Sequence, residues 1–253
     1  MKSLLTLFIA CTLLSCTAPV PQPPKTEVLV LGTVHGSHRT QPEFSLEILE
    51  DIVRTVNPDL ILAEIPPDRF EAAVNGFAEQ DTVLEPRVAR FPEYVDVIFP
   101  LTKEMDFEII PTAGWTRLMA DERSAKLRAI SQDPERADDW KRYTEANQET
   151  ARLHNASGRR FDPYYINSDE YDNNAEIGLG VYNELFNVEL GLGGWDNINK
   201  AHYWYINEAL NEHKGEGKRV LITYGAGHKG WFLRELRKRD DIVLLNLQDV
   251  WEK

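Results

Sequence analysis

The stretch that decides the fold is Val28-Leu29-Val30-Leu31-Gly32-Thr33-Val34-His35. Val28 to Leu31 is an unbroken apolar run of strand length, and a glycine ends it. A histidine three residues past that glycine stands at the strand's carboxyl end, where open α/β sheets keep their ligand sites. On this stretch alone Gly32 is equally a turn and His35 an ordinary loop histidine. The pattern recurs near the end of the chain: Val220-Leu221-Ile222-Thr223 runs into Tyr224-Gly225-Ala226-Gly227-His228. Two apolar strands each ending in Gly-x-x-His read as pseudo-equivalent strands delivering two histidines to one sheet edge.

Between them the pattern is that of βαβ units. Phe44, Leu46, Ile48, Leu49, Ile52, Val53 and Val56 follow helical spacing, which predicts an amphipathic helix over Glu43–Val56. Asn57-Pro58-Asp59 stops it, and Leu60-Ile61-Leu62-Ala63 is a second strand ending at Glu64. Parallel neighbours with a right-handed crossover follow. Phe107–Pro111 reads as a third strand and Asp241–Leu247 as the closing one. Helices are expected over Glu135–Ala156, after Pro134, and over Asp196–His213. Tyr164–Gly194, aromatic, acidic and interrupted by glycines, carries no clear assignment. The expected fold is α/β: a mostly parallel central sheet with a helical insertion at about 116–194, forming one domain over 25–253.

The N-terminus bounds the compartment. Met1-Lys2 precedes an apolar run from Leu4 to Leu14, too short for a bilayer span of about 20 residues but suited to the core of a secretory signal. Leu13-Leu14-Ser15-Cys16 resembles a bacterial lipobox. Residues 1–15 are then a removed signal, and Cys16 is a lipidated N-terminus that anchors the chain without a transmembrane helix. Thr17 in place of Asp favours the outer membrane over the inner, facing the periplasm. Residues 17–24, rich in proline, form a stiff tether. The only other cysteine, Cys11, falls in the discarded signal, so a disulfide and a thiolate zinc site are both excluded from the mature domain. The net charge of -13 argues against nucleic acid or an anionic membrane surface as partner.

Gly32-Thr33-Val34-His35, Asn57-Pro58-Asp59 before a strand ending at Glu64, Arg69 beyond it, and Gly225-Ala226-Gly227-His228 resemble the superfamily containing TraB, GumN, Tiki, ChaN and erythromycin esterase. The chain looks most like an uncharacterised bacterial lipoprotein group within it. The likeness covers Val28–Phe70 and Trp195–Trp251. It implies an α/β core with a helical insertion and a site formed by His35, Glu64, Arg69 and His228. Tiki-like members are metal-dependent peptidases, erythromycin esterase is a histidine-based hydrolase, and ChaN-like members are linked to haem. One departure stands out: relatives often carry an Arg on the helix before the last motif, where this chain reads Trp195-Asp196-Asn197-Ile198-Asn199.

Two imidazoles and a carboxylate are also a chemically sensible three-ligand set, for His35, Glu64 and His228 could hold manganese, cobalt, zinc or iron and leave a position open for an activated water. Arg69 could orient Glu64 or clamp a substrate carboxylate, or simply be a surface residue. The function expected is therefore a membrane-anchored lipoprotein hydrolase, metal-assisted, acting on a peptide or ester bond of a peptide or small molecule. The rivals are a haem- or iron-binding lipoprotein without chemistry and an envelope scaffold. His38 is a further candidate ligand or proton shuttle, Asp169 and Glu170 candidate bases in an acidic loop, and Trp115 a candidate pocket wall. His154, His202 and His213 read as structural. No Gly-x-Ser-x-Gly elbow, Walker or Rossmann glycine pattern is present.

Overall fold

The computed structural model describes residues 23–252. Five strands form one all-parallel sheet: β1 (Thr26–Thr33), β2 (Leu60–Ala63), β3 (Glu108–Pro111), β4 (Arg219–Gly225) and β5 (Ile242–Leu245), in the order β3-β2-β4-β1-β5. The α/β fold expected from the sequence is the one observed. Signal peptide, lipidation site and most of the tether lie outside the described residues.

The inner strands β1, β2 and β4 are largely apolar on both faces because both faces are covered, as parallel sheets require. Leu29, Leu31, Ile61 and Leu221 pack with α1 (Leu46–Val56) and α2 (Pro67–Gln80). Val28, Val30, Leu60, Leu62, Val220 and Ile222 pack on the opposite face with two late helices, taken up below. The alternation within one apolar run thus feeds two cores.

α1 begins later than the apolar spacing indicated. Pro42–Phe44 forms its own 3-10 turn, and the Ser45 side chain accepts from the Ile48 N–H to start the helix. Asn57, in the left-handed region at φ 45°, closes it through its N–H to Val53 O. Between β3 and β4 lie the inserted helices α3 (Arg117–Gln132), α4 (Ala137–Ala156) and α5 (Asp169–Leu190), then α6 (Trp195–Glu212). Ile130, Tyr182, Phe186 and Leu190 give the insertion a small core of its own. The glycines that obscured α5 are helical contacts, not breaks: a Cβ on Gly178 would lie 2.7 Å from Asn147 Oδ1 of α4. After β4, α7 (Ala226–Leu236) completes the second face with α6. The closing strand ends at Leu245, and Leu247–Val250 is a helical turn.

The insertion is fastened to the sheet by one amide. Asn167 Oδ1 accepts from the Gly32 N–H at 2.7 Å, and its Nδ2 donates to Pro163 O at 2.9 Å. Gly32 sits here because a Cβ would come within 3.0 Å of Ala226. Replacing Asn167 with alanine leaves a buried donor at the end of β1 unpaired, a cost of about 1–3 kcal/mol. The expected result for Asn167→Ala is a lower urea midpoint with an unchanged slope; an unchanged midpoint would show that the amide does not hold the insertion.

Candidate functional site

The sheet order sets the site. β4 lies between β1 and β2, pairing Thr33 with Gly225 on one side and Ala63 with Thr223 on the other. The carboxyl ends of three strands therefore meet, with Glu64 directly after β2 and His35 and His228 shortly after β1 and β4.

His35 follows β1 in a 3-10 turn and has φ 47°, a left-handed conformation that a histidine adopts only when its surroundings hold it there. What holds it is Glu93. The His35 Nδ1–H donates to Glu93 Oε1 at 2.6 Å, and Thr33 Oγ1 donates to the same oxygen at 3.0 Å. This fixes the tautomer, so that neutral His35 carries its lone pair on Nε2. The ring packs edge-on against Phe91 and crosses Gly225, where a Cβ would fall 2.5 Å from Nε2. Gly225 is therefore required by the histidine.

Glu64 continues β2 and turns back to β4, its Oε2 accepting from the Gly225 N–H at 2.8 Å. The same oxygen is 3.9 Å from His35 Nε2. That gap is too long for a direct hydrogen bond and is one that a single bridging oxygen spans. Tyr94 fixes the backbone here: its hydroxyl accepts from the Glu64 N–H at 2.7 Å and donates to Thr223 O at 2.9 Å. Glu93 and Tyr94 open a π-helical turn, Glu93–Ile98, a geometry often found at functional sites. Glu93 is fully buried, and its Oε2 has no hydrogen-bond partner among the described residues.

The two carboxylates and the imidazole perturb one another. Burial works against charge on His35, but the hydrogen bond and charge of Glu93, with the charge of Glu64, outweigh it and raise its pKa above the ordinary 6.5. Burial raises the pKa of Glu64, against the pull of His35 and the Gly225 N–H.

His228 lies in the first turn of α7, and the ring stacks on Trp195. Asn199 Nδ2 donates to Trp195 O, so its Oδ1 is the acceptor for the His228 Nδ1–H, at 2.7 Å. The Nε2 of His228 is thereby left as an acceptor. Burial, with the charges of His35 and Arg123, pushes its pKa down to about 3, so the ring stays neutral. His202 packs edge-on against it and accepts from the Gly114 N–H through Nδ1; its Nε2 is buried without a partner among the described residues. His35 and His228 both line a cavity of about 450 Å³, with His154, Tyr171, Phe161 and Trp195 in its wall.

The remaining candidates are placed as follows. Arg69 lies in the first turns of α2, 3.2 Å from Asp68, and lines a different cavity together with Trp115. His38 is buried with both nitrogens used, Nδ1–H to Phe44 O and Nε2 accepting from Val34 N–H. Asp169 and Glu170 begin α5 and face Arg237 and Arg159 at the surface. His213 caps the end of α6 beside Glu216. His202, read from sequence as structural, stands against His228 instead of apart from the site. Glu93, Tyr94 and Asn199 were not singled out by sequence. The one signal for Glu93 is an acidic residue set in aromatics, Phe91-Pro92-Glu93-Tyr94, ahead of an apolar run.

A metal triad of His35, Glu64 and His228 does not fit this arrangement. Among the described residues no three His, Cys, Asp or Glu side chains converge as a metal site. The Nε2 of His35 faces a Glu64 oxygen already bonded to Gly225. What the geometry offers is proton transfer: a carboxylate-oriented imidazole and a neutral acceptor imidazole on one cavity, with a second carboxylate of raised pKa 3.9 Å from the first ring.

Glu93→Gln removes the charge that holds the His35 proton, so its pKa falls, readable from the ring resonances in an NMR titration. The raised folded pKa stabilises the protein below the ordinary 6.5, a contribution lost as pH rises through the folded value. In Glu93→Gln that pH dependence weakens. An unmoved His35 titration would show that Glu93 does not govern the ring. No protein-family model matches this chain, and no curated protein or solved structure matches it either.

Proposed function

We propose that the protein is a hydrolase of ester or amide bonds that works by histidine–carboxylate acid–base catalysis without a metal. The observation that carries this reading is the Glu93–His35 pair, with Nε2 turned toward Glu64 at the sheet edge. The resemblance of the strand-end motifs to the erythromycin esterase and Tiki superfamily supports the reaction class.

In this reading a water held between His35 Nε2 and Glu64 attacks the carbonyl carbon. His35 takes the water's proton, and Glu93 stabilises the imidazolium through Nδ1–H, as the buried carboxylate does in hydrolytic triads. The bond to the leaving oxygen or nitrogen breaks as that atom receives a proton from the His35–Glu64 pair. The products are an acid and an alcohol or amine. His228, neutral and fixed by Asn199, accepts a hydrogen bond from the substrate, and Trp195 and Phe161 supply the apolar wall.

The purified full chain, assayed against a panel of p-nitrophenyl esters, is expected to turn over at least one of them, and a chelator leaves the rate unchanged. His35→Ala lowers kcat by about 10²–10⁴-fold. Because the base must be neutral, the rate climbs as pH rises through the raised His35 pKa. In Glu93→Gln the climb moves to lower pH and reaches a lower plateau. A rate abolished by chelator and restored by one divalent ion would overturn the metal-free mechanism. No hydrolysis, with a new haem absorbance band lost in His228→Ala, would replace it with a binding role.

The same reading places the chain in a bacterial envelope, anchored by lipid on Cys16. Expressed in a bacterial host with labelled palmitate, the wild type incorporates label and Cys16→Ser does not. Equal labelling of both would remove the anchor. Among the described residues no helix is long and apolar enough to cross a membrane.

A further inference from the structure

A second cavity, of about 460 Å³, opens beyond the carboxyl ends of β2 and β3, between the starts of α2 and α3. Arg69, Arg87, Arg90 and Arg117 line it, with Trp115 as an aromatic wall. Its three carboxylates are already engaged. Asp121 accepts from Arg117 Nε at 2.9 Å, and Asp68 is 3.2 Å from Arg69. Glu85 Oε2 accepts from the backbone N–H groups of Arg87 and Val88, at 2.9 and 2.8 Å. That leaves Arg87 and Arg90 with neither an ion pair nor a side-chain hydrogen bond among the described residues, in a chain of net charge -13.

Arg87 is half-buried, and its charge reaches Glu64 and His202. Trp115 packs edge-on against His202 at 6.2 Å. The cleft therefore adjoins the edge that carries the histidines. The Arg87 side chain is partly withdrawn from water, in the field of Glu64, Asp68 and Glu85 but with no direct bond to any of them, and a guanidinium's planar fork matches a phosphate or carboxylate. The half-buried Arg87 and the exposed Arg90, beside an aromatic wall, describe a site for an oxyanion on a larger molecule.

We propose that this cleft binds a phosphate or carboxylate group. On the hydrolase reading above, on which this second half rests, it is the subsite for an acidic substituent, so the substrates are anionic esters or amides.

Calorimetric titration of the full chain with inorganic phosphate, and separately with succinate, tests the site. At least one is expected to bind saturably. Arg87→Ala and Arg90→Ala each weaken it tenfold or more, Arg87→Lys weakens it less, and thermal melts confirm that the variants fold. Arg54→Ala, an arginine on α1 paired with Glu50 and Glu104, leaves binding unchanged. Binding of neither anion, or an equal loss in Arg54→Ala, overturns the proposal. His35→Ala keeps the anion; a wild type that binds the anion but hydrolyses no ester sinks the hydrolase reading and leaves the site. If hydrolysis occurs, a p-nitrophenyl hemisuccinate is expected to have a lower KM than the acetate, and Arg87→Ala erases the difference. A wild type that shows no such preference removes the substrate assignment.

Discussion

The insertion of β4 between β1 and β2 is the constraint from which the site follows. Val220, Leu221 and Ile222 are fully buried because this strand has a neighbour on each side and a helical layer on each face. Its last residue, Gly225, stands between two chain ends that the first βαβ unit alone would leave apart. There the missing side chain makes room for the His35 ring, and the N–H fixes Glu64. A strand more than a hundred and sixty residues from Glu64 thus positions it, as the Gly225–Glu64 separation of 161 shows. The site cannot exist before the whole chain has closed, since pairings so distant in sequence carry a loop-closure cost that local ones do not.

Electrostatically the edge is divided. On the β1 side two carboxylates share one imidazole. Glu93 is buried with an unpaired oxygen, and burial alone would make that intolerable; the hydroxyl of Thr33 and the proton on His35 are what compensate it. On the β4 side burial lowers the pKa of His228 and of His202, which pack against Trp195 and Tyr224.

Much of this was legible in the sequence, and the limits have physical reasons. Strands buried on both faces read as plain apolar runs, so Val28–Leu31, Leu60–Ala63 and Val220–Thr223 announced themselves, and the glycines past two of them marked where backbone or ring must come close. The likeness of the two motifs was only partial. Gly32 pairs with Tyr224 and not with Gly225, one histidine lies in a 3-10 turn and the other in a helix. Glu93 was hidden because nothing in local periodicity distinguishes a buried acid from a solvated one; its partner is 58 residues away. The glycines of α5 misled for the opposite reason. A glycine reads as a break, whereas at Gly178 it is a close approach between two helices, a tertiary fact without a local signature.

The insertion between β3 and β4 has a larger role than a cover. Asn167 holds the end of β1, Asn199 sets the His228 tautomer, and Trp195 stacks on that ring. Asp172 of α5 pairs with the buried Lys229, next to His228 on α7, at 2.5 Å. Asn167 and Asp172 belong to the insertion, and Trp195 and Asn199 to α6 behind it; each reaches a residue at or beside a strand end. The histidines come from the sheet edge, but their orientation comes from the helices that follow β3. On the helix before β4 stand Trp195 and Asn199, whose side chains both contact His228. Stacking and one amide hold that imidazole in a neutral, directed form, which a guanidinium could not do without adding charge to the same buried wall.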